Sequence, residues 1–253
     1  MLILLLGRAI IKAKNLSEKH YNLDHEVLSH CFTKCIEWGA RDDHPMTNKK
    51  VVKFPSNSST RYVEDWELAE FFKVAPLKLV LFCRLVGLIG QDKGDILRIR
   101  LTDIKPDCLV IEPRHKTKRK RKTTRKRSYP FYTEEGQPTG LEALLNEIKA
   151  LPRPVGSMWL FCTREGQPYV KDDGTTSGFD SIWRRAMDKA LKETELEQRF
   201  GPHALRKKVS SDSETDEQAQ RQLDHANINT TRKTYRLKPI QMPVAPGFKD
   251  KRE

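Results

Sequence analysis

No stretch of this sequence is long and apolar enough to cross a bilayer. The apolar run Leu2–Leu6 is closed by Gly7-Arg8, far short of the roughly 20 residues that a spanning helix needs. It also lacks the basic leader and small-residue cleavage site of an export signal, so a buried helix fragment is expected there. Cysteine is scarce. The five present are an odd number without framework spacing, which excludes a disulfide-stapled secreted domain and points to reduced thiols in an intracellular setting. Cys31 and Cys35 sit four apart with His30 beside them, but no further Cys or His pair follows at zinc-finger spacing. No metal is expected, and the two thiols are expected to pack in or against a core. Acidic residues are in deficit: 34 Asp and Glu face 47 Lys and Arg, a formal net charge of +13. Such a balance implies a polyanionic partner, nucleic acid before a membrane surface. With 37% hydrophobic and 32% charged residues among 253, the chain is polar but can bury one sizeable domain plus a smaller piece.

Periodicity places the elements. In LDHEVLSHCFTKCIEW, Leu28, Phe32 and Cys35 or Ile36 form one helical stripe, and Gly39 and Pro45 end that helix. The polar, Ser-rich run 46–60 reads as a linker. EDWELAEFFKV, from Glu64, carries acids in its first turn and a stripe of Leu68, Phe71, Phe72 and Ala75, so it is an amphipathic helix. Leu77–Ile89 is apolar on nearly every side and should be a central helix. Cys108–Glu112 and Arg127–Phe131 read as two short strands. Leu141, Leu144, Leu145, Ile148 and Leu151 mark a core helix, and Pro152, Pro154 and Gly156 break the chain after it. In FDSIWRRAMDKAL, Ile182, Trp183, Ala186, Met187 and Ala190 share a packing face, leaving Arg184, Arg185 and Lys189 outside. Thr215 with Gln218 forms a capping box for a helix over Asp216–Leu223.

The residues that carry chemistry cluster in FGPHALRKKVSSDSETDEQAQRQLDHANINTTRKTYRLKP. His203 and Arg206, three apart, share a helical face and can converge on one anion. Arginine presents a donor fork suited to phosphate, and histidine can donate or shuttle a proton near neutral pH. His225 follows, then Tyr235 on a basic segment with Arg232, Lys233, Arg236 and Lys238. The order H-A-L-R, L-D-H, T-Y-R-L-K-P resembles the catalytic end of the phage integrase family, the tyrosine recombinases. Gly90–Ile104, GQDKGDILRIRLTDI, resembles that family's first motif, T-G-x-R-x-G-[DE]-x-L. Ile89 stands for its threonine, Asp95 matches its acidic residue, and Asp92 occupies its catalytic arginine position. A carboxylate there repels the phosphate an arginine would grip. Asp224 replaces the glycine of L-G-H.

The resemblance implies a mainly helical domain with a small antiparallel sheet, an α+β breaking–rejoining fold. W-G-A-R-D-D-H-P-M resembles the close of a core-binding domain, which implies that 1–45 is the last part of a helical DNA clamp. Residues 61–239 would then be the catalytic domain and 240–253 a tail. It also implies that Tyr235 attacks a DNA phosphate to give a 3′-phosphotyrosine while Arg206, His203 and His225 hold the phosphoryl oxygens. A hairpin lysine protonates the leaving 5′-oxygen; Lys116 is the best match, with Lys118 and Lys120 as alternatives. Ten of the fourteen residues 114–127 are Lys or Arg, and a run this dense between strands is expected to track phosphates. Arg114, Lys118, Arg119, Lys120, Arg121, Lys122, Arg125, Lys126 and Arg127, with Arg232 and Arg236, are therefore the candidate DNA contacts. Neither cofactor nor metal is implied. The expected partners are double-stranded DNA and further copies of the chain upon it, with no membrane. The expected setting is the cytoplasm, on the nucleoid, of a bacterial or phage-derived system. Two other readings stand beside this one: a catalytically defective remnant that only binds DNA, favoured by Asp92 and Asp224, and an unrelated basic RNA-binding protein, favoured by charge alone.

Overall fold

The computed structural model describes residues 17–46, 53–54, 61–112, 126–223, 228–235 and 237. The chain divides into two compact units, 1–59 and 60–253. In the first, α1 (Glu18–Glu37) starts at Ser17, whose hydroxyl accepts the backbone N–H of His20, and closes on Gly39 at φ 70°. The amide of Asn22 exchanges two hydrogen bonds of 2.9 Å with the backbone of Phe54. The expected stripe is present but not buried: no residue of α1 is, Leu28 is 52% exposed, and Cys31 is exposed while Cys35 is half-buried. An amphipathic helix buries its stripe only against a second element, and among the described residues of this unit Phe54 alone is buried.

The second unit is built around α3 (Leu77–Ile89), eight of whose thirteen residues are buried. It follows α2 (Asp65–Val74), which begins with a reciprocal capping box between Glu64 and Glu67. After α3 come a single turn, α4 (Lys93–Ile96), and a 3₁₀ turn at Leu101–Asp103. The two strands then pair antiparallel as β1 (Cys108–Ile111) and β2 (Arg127–Pro130), with Leu109 opposite Tyr129 and Ile111 opposite Arg127. Residues 113–125 lie outside the described residues. The helices that follow are α5 (Leu141–Lys149), α6 (Ser177–Glu193), α7 (Pro202–Asp212), α8 (Asp216–Leu223) and α9 (Ile228–Thr234). α3 packs against α5 and α7, α2 against α6, and α8 against both α7 and α9.

Aromatic rings fill the core between α2, α3 and α6. Phe71 lies 5.0 Å from Trp183 and Phe82 lies 4.7 Å from Phe179, and the Trp183 indole donates to the Phe200 carbonyl at 3.0 Å. The arrangement meets both needs of a buried tryptophan, ring packing and an N–H partner. A buried lysine ties α7 to the start of α2. Lys208 reaches the Tyr62 hydroxyl at 2.7 Å, Asp65 at 2.8 Å and Asp212 at 3.1 Å. Burial, then the bond to Asp212, pushes the Tyr62 phenol up to about 12. Mainly helical with one two-stranded antiparallel sheet, the architecture is the expected one. Among the described residues no helix is long and apolar enough to cross a membrane.

Candidate active site

α7 starts with Pro202 at its first turn, where the missing N–H costs nothing. That start sets the phase of the helix, and His203 and Arg206 fall on one side of it. Arg206 is only 8% exposed, so its charge must be answered inside the protein. One guanidinium nitrogen donates to the Gly90 carbonyl at 2.6 Å and the other to the Leu223 carbonyl at 2.6 Å. Gly90 caps the C-terminus of α3 and Leu223 is the last residue of α8. Carbonyls at helix ends lack intrahelical donors and carry the negative end of the helix dipole, so a cation between two of them is well placed. Arg206 thereby ties the first motif to the helix that precedes His225.

Gly90 serves this arrangement by conformation and by absence of bulk. Its φ is +63°, and a Cβ there would meet Gln222 Cγ at 3.2 Å and Val209 Cγ1 at 3.3 Å. Gly90→Ala is expected to lower stability by about 1–3 kcal/mol and to shift the carbonyl that Arg206 uses. Chemical denaturation checks this, and an unchanged midpoint would refute it.

Tyr235 follows the last turn of α9, and its hydroxyl lies 3.5 Å from His203 Nε2. The two rings meet edge to face at 5.6 Å, and the Arg206 guanidinium carbon stands 6.0 Å from the tyrosine ring centre. Nucleophile candidate, histidine and arginine thus converge. Asp92, the N-cap residue of α4, acts on the same histidine. Although His203 keeps accessible surface, enclosure of its ring pushes its pKa below the usual 6.5. The Asp92 carboxylate opposes that shift, while Lys207 and Arg206 reinforce it. A depressed histidine pKa means that the neutral ring is preferred, so its contribution to stability is present above pH 6.5 and is lost as pH falls through the folded value. Asp92→Asn removes the one contribution that favours the charged ring. The His203 midpoint, followed by NMR titration, is expected to fall further, and a rise would mean that Asp92 does not face the ring.

Other residues in and around these motifs are placed differently. Lys93 forms an ion pair with Asp180 at 2.5 Å. Arg127, expected both to open the second strand and to contact DNA, is the first residue of β2. Alternation along β2 puts it and Tyr129 on the same side as Leu109 and Ile111; there it donates to Gln91 Oε1 at 2.7 Å and lies 3.5 Å from Asp95. Lys126 pairs with Glu112 at 2.9 Å and Arg232 with Asp216 at 2.6 Å, both on the surface. Arg114, Lys116, Lys118, Arg119, Lys120, Arg121, Lys122, Arg125, Asp224, His225 and Arg236 lie outside the described residues. Sequence reasoning missed Gln91, which is 1% exposed. Its Oε1 also lies 3.4 Å from Arg206, and its amide nitrogen donates to the Gln222 carbonyl at 3.0 Å. The only available signal was a polar residue two positions after a largely apolar helix.

Among curated proteins, none matches this chain in sequence. Among solved structures, a lambda integrase tetramer bound to a Holliday junction matches with a TM-score of 0.69 at 18% identity, over 96% of this chain and 66% of that one. This chain therefore spans just under two thirds of that neighbour. The Tn1549 transposon integrase in complex with circular intermediate DNA matches with a TM-score of 0.64 at 18% identity, over 90% of this chain and 78% of that one. XerH site-specific recombinase in a post-cleavage complex matches at 0.60 and 18%, over 91% and 67%. At such identities the likeness is one of fold. The family model is more specific: it matches residues 67–239, a span that runs from α2 through the first motif, the sheet and the His203–Arg206–Tyr235 cluster, and the chain belongs to the phage integrase family.

Proposed function

We propose that this chain is a DNA-binding tyrosine recombinase whose nucleophile is Tyr235. The observation that carries this is the approach of the Tyr235 hydroxyl to His203 at 3.5 Å, beside Arg206. The tyrosine oxygen attacks phosphorus while the bond from phosphorus to the 5′-oxygen breaks. One phosphoester forms as another is lost, so no metal or nucleotide is required. His203, kept neutral by enclosure, can accept the phenolic proton. Arg206, with His225, holds the phosphoryl oxygens, and Lys116, or its neighbours Lys118 and Lys120, supplies a proton to the leaving oxygen. The catalytic work is positioning and charge stabilisation. Residues 61–239 form the catalytic domain in this reading, with 1–45 contributing to a DNA clamp. The lambda integrase neighbours are a tetramer on a Holliday junction and a dimer on a core site, which supports assembly of several copies on DNA. The reaction would take place wherever that DNA lies, in a bacterial or phage setting the nucleoid.

A second reading has its own observation. Asp92 stands at the arginine position of the first motif and within electrostatic reach of His203. On that ground the unmodified chain is expected to bind DNA and to cleave it slowly or not at all. A nicked duplex that traps the covalent intermediate tests both readings: adduct from the unmodified chain that disappears in Tyr235→Phe establishes an active recombinase. Retained DNA binding without adduct establishes a binder. The family match leaves the RNA-binding reading without support.

A further inference from the structure

We infer that the hydroxyl of Ser211 is a positioning residue that latches the tyrosine-bearing segment onto α7, so that Tyr235 is delivered to the arginine and histidine of its own chain before DNA arrives. Ser211 is 5% exposed. Its Oγ donates to the Tyr235 carbonyl at 2.6 Å and accepts the Leu237 N–H at 2.8 Å. A serine inside a helix usually turns its hydroxyl back to a carbonyl one turn earlier, and Ser213, the C-cap residue of α7, does the same, donating to the Val209 carbonyl at 3.0 Å. Ser211 instead reaches across to another segment.

The groups it meets are ones the backbone leaves behind. The Tyr235 N–H closes the last turn of α9 on the Thr231 carbonyl at 2.9 Å. Beyond that bond the Tyr235 carbonyl and the Leu237 N–H have no place in the helical ladder. One hydroxyl is both donor and acceptor and satisfies the two together. Because Ser211 lies on the same helix as His203 and Arg206, about two turns further along, the main chain of the nucleophile and its charge partners share one rigid body. The ring is held at one end by His203 and Arg206 and the backbone at the other by Ser211. Apolar packing contributes little here, since Tyr235 and Leu237 are each only half-buried.

This inference rests on Tyr235 as the nucleophile, and two measurements separate the claims. The first is hydrogen exchange of the 231–237 segment together with NMR titration of His203, which needs no activity. Ser211→Ala should raise exchange across that segment about tenfold or more, and the His203 midpoint should move up toward 6.5 as the tyrosine ring leaves it. Ser211→Thr, which keeps the hydroxyl, should restore both. The second is adduct yield on a nicked duplex in the Asp92→Arg background. Ser211→Ala should reduce it about ten- to hundredfold, the penalty of a misplaced reacting group, with DNA affinity unchanged and Ser211→Thr close to the parent. If Ser211→Ala unfolds the domain, Ser211→Cys, which keeps the volume and weakens both bonds, is read the same way. Unchanged exchange and an unchanged His203 midpoint overturn the latch. Absence of adduct from the Asp92→Arg parent is a failure of the proposed activity and not of the latch, and the first measurement then decides on Ser211.

Discussion

Asp92→Arg is expected to raise covalent protein–DNA adduct by about 10³-fold or more. The pentacoordinate phosphoryl group spreads negative charge over its oxygens, and an arginine that meets this charge in a phosphoryl-transfer site accounts for on the order of 10³–10⁵ in rate. Arg206 stands beside the Tyr235 ring; where the resemblance expects the arginine of the first motif there is a carboxylate, and it acts on the same histidine that faces Tyr235. The substitution therefore removes a repulsion and adds a donor fork. Asn at the same position removes only the repulsion and should recover a small part of the gain. Adduct should vanish when Tyr235→Phe is added, because only the hydroxyl can form the bond. The replacement also changes an opposing contribution at His203 into a reinforcing one, so the His203 midpoint should fall below that of the parent. If Asp92→Arg forms no adduct, a further defect lies elsewhere, with Asp224 in the glycine position of L-G-H as the first place to look. Brisk cleavage by the unmodified chain would show that Asp92 does not occupy the arginine's place.

The second large effect is on binding. Replacing Lys118, Arg119, Lys120 and Arg121 together by Gln is expected to flatten the dependence of log K on log salt by about three to four. Each phosphate neutralised by the protein releases counterions worth roughly 0.9 in that slope. Fluorescence anisotropy on a short duplex across a salt series measures it, and an unchanged slope would show that the basic run does not follow the DNA backbone. Arg127→Gln is the control that the structure adds. This arginine faces inward to Gln91 and Asp95, so its loss should lower stability and leave the salt slope nearly as it was. A change of slope as large as one of the loop residues produces would overturn that assignment.

The helices were legible because their signals are local. Eight of thirteen residues buried in Leu77–Ile89 follow directly from a run that is apolar on nearly every side. The capping residues Thr215 and Gln218 placed α8 because a cap is read within four residues, and the Thr215 hydroxyl does accept the Gln218 N–H at 3.1 Å. The alternation in RSYPF was equally local. It already held the inward aim of Arg127, which the density of charge around it concealed. Where the reading of α1 departs from the structure, the stripe is as expected and only its burial differs, since burial belongs to the partner element and not to the helix.

Sequence alone determined the chemistry on offer: a tyrosine on a basic segment, H-x-x-R on one helical face, an aspartate where the family resemblance expects an arginine, and a strongly basic chain. Tertiary structure decided which of these meet. Arg206 is bound to a carbonyl 116 residues away and to another 17 residues ahead, and Tyr235 finds His203 across 32 residues. Periodicity carries no information over such separations, because it reports how a segment faces a core and not which other segment closes upon it. The same holds for Gln91 and Ser211. Their residue types are ordinary; their importance comes from lone pairs and protons left over at the ends of α3, α8 and α9, and those become visible only when the helices are set side by side.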